Sequence, residues 1–121
     1  MNKSAILVAA LFLMASGPLG GAPSDIVGVW HCELYVDSVG QTFPSTLTVT
    51  LQEEGLSGVM EGHDRTFPAE HLEFAEGVLK FELRHPEEGA IRFELRLEEN
   101  GLTGRASGQS FVGRVTGRRA E

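Results

Sequence analysis

From residue 26 onward, apolar and polar side chains alternate along almost the whole chain. A period of two marks strands with one buried face. Ile26, Gly28, Trp30, Cys32, Leu34 and Val36 share one face of the first run, opposite His31, Glu33 and Tyr35. Leu47, Val49 and Leu51 likewise oppose Thr46, Thr48 and Thr50. Further on, Leu79, Phe81 and Leu83, then Ile91, Phe93, Leu95 and Leu97, face inward. That leaves Lys80, Glu82, Arg84, Arg92, Glu94 and Arg96 outside. Residues 56–61 and 102–107 read as return strands and 111–118 as the last strand. The run over 65–75 breaks phase. Phe67 is out of step with Leu72 and Phe74, and Pro68 removes a ladder donor, so the pattern predicts a bulge or break there. No amphipathic helix of useful length follows residue 22.

Residues 47–62 recur without a gap, forty-six positions later, as residues 93–108. Each copy is an alternating strand, an acidic turn ending in Gly, and a Leu-Ser/Thr-Gly return. This is a β-hairpin used twice, with Gly55 and Gly101 expected at positive φ. A second echo, Phe81-Glu82-Leu83-Arg84 and Phe93-Glu94-Leu95-Arg96, places outward Glu and Arg on adjacent strands, where they can pair across the ladder. Eight strands on connections of about two to eight residues predict an all-β fold. Its expected form is a single eight-stranded antiparallel meander closed as an up-and-down barrel, which removes exposed edges. The alternative is a two-sheet β-sandwich with the same strand order.

The first residues change the picture of where this domain works. Lys3, the uncharged apolar run over 5–15 and Ser16-Gly17-Pro18 have the layout of a secretory signal peptide, and the run is too short for a permanent anchor. We read 1–22 as the signal peptide, with cleavage near Ala22 or after Ala15-Ser16-Gly17, and 23–121 as one barrel domain exported to the periplasm or outside the cell. About 99 residues suffice for one small core. Without Lys3, nine Lys plus Arg face seventeen Asp plus Glu, a formal charge of −8. Such a balance argues against nucleic acid or anionic lipid as partner, and no second apolar run offers a membrane anchor. Cys32 is the only cysteine, so no disulfide forms within the chain; its phase with Trp30 and Leu34 makes it a buried small hydrophobe.

Gly28-Val29-Trp30 on the first strand resembles the G-x-W signature of the calycins, the lipocalin and avidin type of up-and-down barrel. The Gly-Leu-Ser/Thr-Gly hairpins are similar to those of small secreted lipocalin-like bacterial domains. The resemblance implies that Trp30 plugs the end of the barrel that carries both termini, with Arg118 or Arg119 packed over it. A meander sorts its turns by parity, so the turns near 37–44, 62–65, 85–89 and 108–110 share the other end. The connection from Asp37 to Pro44 reads as the longest in the chain, lying over an open mouth.

No G-x-S-x-G, H-E-x-x-H or Gly-rich phosphate loop occurs, and His31 and Cys32, adjacent on a strand, point to opposite faces. The expected protein is therefore no enzyme and needs no cofactor. His63-Asp64 and His85-Pro86-Glu87-Glu88 could converge on a zinc ion, but read more simply as polar turns, so no metal site is assigned. Two functions follow. The first is a carrier of a small apolar or amphipathic ligand, with Leu34, Leu47, Val49, Phe81, Phe93 and Phe111 as its wall and His63 and His85 orienting a polar head. The second is an interaction module, an inhibitor or accessory subunit for an exported protein partner, built on a filled barrel.

Overall fold

Eight strands follow one another in chain order: β1 (Gly28–Val36), β2 (Gln41–Gln52), β3 (Gly55–Glu61), β4 (Thr66–Ala75), β5 (Val78–His85), β6 (Gly89–Glu98), β7 (Gly101–Ser107) and β8 (Val112–Arg119). The computed structural model describes residues 22–99 and 101–120; the leader expected over 1–22 lies, but for Ala22, outside the described residues. Every strand pairs antiparallel with the next, and β8 pairs with β1, so the meander closes into a barrel rather than splitting into two sheets.

The repeated hairpins are β2–β3 and β6–β7. Their registers are equivalent: Leu47 faces Met60 as Phe93 faces Ala106. The equivalence extends one strand further, because Gly58 faces Ala69 on β4 as Gly104 faces Val115 on β8. The repeated glycines make room for close neighbours. A Cβ on Gly104 would run into the Glu94 carbonyl oxygen, and one on Gly58 would lie 2.8 Å from the Leu72 Cδ1. Gly55 does take a positive φ, +131°, after the acidic pair Glu53-Glu54. The φ of Gly101 depends on Asn100, which lies outside the described residues.

Alternation delivers the core. Trp30, Leu47, Val49, Leu79, Phe81, Leu95, Leu102 and Val115 are all but inaccessible, each large side chain contributing roughly 1.5–3 kcal/mol. Phe81 and Phe93, directly opposed on β5 and β6, stack with ring centroids 4.7 Å apart and planes within 7°. On the outer wall their neighbours pair as the tetrapeptide echo implies, Arg92 with Glu82 at 3.3 Å and Lys80 with Glu94 at 3.9 Å. Both pairs lie at the surface, with only Glu82 half-buried, so each contributes at most about 1 kcal/mol.

The phase break on β4 is a bulge. Pairing with β5 slips by one residue between Glu70 and Glu73, and His71 sits at φ +55°. The extra residue reverses the parity of the strand. Phe67 and Ala69 before it, and Leu72 and Phe74 after it, therefore all pack against the core.

The two ends differ. At the end carrying both termini the turns 53–54 and 76–77 have two residues each, and Glu76-Gly77, with φ of +55° and +79°, is a type I′ turn. This end is plugged. Trp30 is 1% exposed, its Nε1 donates to the Ile26 carbonyl at 3.0 Å, and the Arg119 guanidinium lies 4.3 Å above its ring centroid. Of the two arginines expected there, Arg119 is the one over the ring. It also donates to the carbonyls of Val27 (2.9 Å) and Asp25, the latter ending a 3₁₀ turn over Pro23–Asp25. Gly28 accommodates this arrangement, because a Cβ there would stand 2.8 Å from Arg119 Nη1 and its φ is +141°.

The opposite end has turns 37–40, 62–65, 86–88 and 108–111. The expected long connection over 37–44 is absent. Instead, Gln41–Ser45 extend β2 along β1, pairing from Val36–Gln41 to Cys32–Ser45, and only a four-residue turn remains. Pro44 is tolerated because β2 has outrun β3 there, whose last pair is Thr46–Glu61.

Candidate functional site

The open end holds a cavity of about 480 Å³, within the usual range of small-molecule sites, about 300–1,000 Å³. Its position follows from the sizes of inward residues at successive levels along the barrel. Cys32 and Ser45 face each other across β1 and β2 as a pair of small side chains at middle depth, and both line the cavity. Below them Leu47, Val49 and Phe81 are buried in the core. Above them the wall is apolar, from Leu34 and Val36 on β1 to Leu83 on β5 and Ile91 on β6, with Phe67 and Phe111 also lining it. Val39 and Phe43, 58% and 45% exposed, stand on the rim.

Of the residues expected to meet a ligand, Leu34, Phe93, Phe111, His63 and His85 line this cavity. Leu47, Val49 and Phe81 do not; they form the packed layer beneath it. Parity selected the correct face but not the depth. The Leu83–Ile91 pair is one inward level nearer the open turn than Phe81–Phe93, so Leu83 and Ile91 line the wall while Phe81 is underneath. Counting inward pairs from the His85–Gly89 turn would have found them. Phe67 escaped notice because the bulge hides its phase.

The polar groups of the rim are organised by the turns. His85 Nδ1 accepts from the backbone N–H groups of Glu87 (3.1 Å) and Glu88 (3.2 Å), and the ring stacks on Phe67 with centroids 5.8 Å apart. The Glu88 carboxylate is turned to the neighbouring turn, where it accepts from the Ser110 N–H at 2.9 Å and from the Ser110 hydroxyl. The hydroxyl bond first, and then the N–H bond, hold the Glu88 carboxyl below the ordinary carboxylate range. Gly108 permits this tie, since a Cβ there would lie 2.8 Å from Glu88 Oε1. His63, by contrast, is exposed on the 62–65 turn.

Cys32 is 2% exposed, and burial pushes its thiol up to about 11, the opposite direction from an activated nucleophile. Among the described residues no group of three or more His, Cys, Asp or Glu could hold a metal ion. A larger hollow of about 720 Å³ lies against β1, β2, β3 and β8, bordered by the charged and polar side chains His31, Glu33, Thr46, Glu61 and Arg118. Among the described residues no helix is long and apolar enough to cross a membrane. No protein-family model matches the sequence, and a search of curated proteins finds no match.

Proposed function

We propose that this protein is an exported, non-enzymatic binding protein of the calycin type, holding a small apolar or amphipathic molecule in the open end of its barrel. The observation that carries the reading is the apolar cavity of about 480 Å³ above a filled lower half. Support for the calycin likeness comes from the opposite end, where Arg119 covers Trp30 of the Gly28-Val29-Trp30 motif. A ligand that loses about 300 Å² of apolar surface gains roughly 7 kcal/mol before association costs, with no charged anchor needed. Glu82, Arg92, Lys80 and Glu94 give the outer wall a charged face unlike the apolar band of a membrane barrel.

The test is titration with Nile red, a neutral lipophilic dye, on the wild type and on variants that fill the cavity, Ser45→Leu and Leu34→Trp. Saturable uptake by the wild type and its loss in variants of unchanged thermal stability is the expected result. No saturable uptake, or uptake indifferent to both substitutions, rejects the carrier. The exposed rim residues Val39 and Phe43 favour a second reading, an interaction module for an exported protein. That reading expects no dye uptake and loss of partner capture from the host's exported fraction on Phe43→Ser.

A further inference from the structure

We infer, resting on the carrier reading, that the ligand's polar end is a neutral hydrogen-bond acceptor, an ester, ketone or hydroxyl group, received by Nε2–H of His85. Two features of the rim point there. The first is the fixed imidazole. Nδ1 of His85 already accepts two backbone N–H groups, at 3.1 and 3.2 Å, so its lone pair is occupied and the ring proton belongs to Nε2. Stacking on Phe67, itself a cavity residue, holds the plane of the ring, and among the described residues no side chain or carbonyl accepts from Nε2. A half-buried donor at the edge of an apolar cavity is left for the occupant.

The second feature is charge. No Lys or Arg lines the cavity, whereas Glu88 does; Glu33 borders it from β1 but lies on the outward face of that strand. An anionic head would lose water without gaining a cation and would meet the Glu88 carboxylate, a cost that grows with burial. A cationic head has little to gain from Glu88, whose oxygens already accept from the Ser110 N–H and hydroxyl. A neutral acceptor on an apolar body meets neither penalty. Chain length is left to the cavity, and head chemistry is set by His85.

The experiment compares displacement of Nile red by four probes with the same alkyl body: dodecane, methyl laurate, laurate at neutral pH and dodecylammonium. Methyl laurate is expected to displace the dye best, three- to tenfold better than laurate or dodecylammonium. That margin is the cost of bringing a charged head to a rim that offers it no free partner. In His85→Phe, which keeps an aromatic ring against Phe67, the ester should bind three- to tenfold more weakly than it does to the wild type, the size of one half-buried hydrogen bond, while dodecane is unchanged. Independently of any variant, the side-chain ¹⁵N spectrum of the wild type should show His85 as the Nε2–H tautomer. Laurate or dodecylammonium binding as tightly as the ester, an ester affinity unmoved by His85→Phe, or an Nδ1–H tautomer each overturns the inference. Dye uptake that withstands those failures leaves the carrier standing. No uptake of dye or dodecane at all removes the carrier and this inference with it.

Discussion

Gly28 and Arg119 constrain one another across the plugged end, because the glycine's missing Cβ is the space that Nη1 occupies. Arg119→Ala removes the contact with the Trp30 ring and two bonds to carbonyls, an expected loss of about 1–2 kcal/mol with a red-shifted Trp30 emission. Gly28→Ala should cost at least as much alone, through the clash and the positive φ. In the double variant the two costs should be less than additive, since the clash disappears with the guanidinium; chemical denaturation of all four proteins checks the cycle. Cys32 supplies a pH signature. Its thiol titrates at about 11 in the folded protein against 9.0 when unperturbed. Between those values the unfolded chain has lost a proton that the folded chain keeps, so stability falls as pH rises from 9 to 11, with nothing lost below 9. The full effect is on the order of 3 kcal/mol. Cys32→Ala should flatten that slope in denaturation midpoints measured across the window.

At the scale of strands and turns, two residues carry strain that the chain can shed. Glu76 opens a type I′ turn at φ +55°, a position that suits Asn or Gly, and His71 holds the same φ in the β4 bulge. Glu76→Asn should raise stability by about 0.5–1 kcal/mol in thermal melts, whereas Gly55→Ala, at φ +131°, should lower it by about 1 kcal/mol or more. Deleting His71 should be tolerated in thermal melts, since Phe67, Ala69, Leu72 and Phe74 would then alternate without a break while Glu70 and Glu73 keep Glu82 and Lys80 as partners. The strand order was legible because nearly every strand carries its own alternation, and the repeat marks two hairpins in the sequence itself. Where the reading failed, the cause was local. Pro44 and the polar Gln41 and Thr42 look like loop residues, yet β1 is long enough to pair with them, and pairing decided the matter. Phe67 looked misplaced only because one extra residue separates it from Leu72.

For the whole molecule, the barrel is a plug, a packed waist and an open cup. Two ingredients of that division could be read from the chain: Trp30 with a late arginine, and a parity that sends Leu34, Phe93, Phe111, His63 and His85 to one end. Depth could not be read, because alternation says which way a side chain points and nothing about its height. Hence Leu47, Val49 and Phe81 belong to the waist. Nor does any pattern announce a hydrogen bond between turns such as Glu88 to Ser110, which joins residues 22 positions apart. The account stands or falls on whether the cup is occupied in life. Native mass spectrometry of the protein purified from its own host tests this most directly. A discrete mass adduct of a small lipophilic molecule, lost on collisional activation and absent from Leu34→Trp, is the expected result. A bare chain mass from the host preparation, with no adduct after incubation with methyl laurate or Nile red, would contradict it.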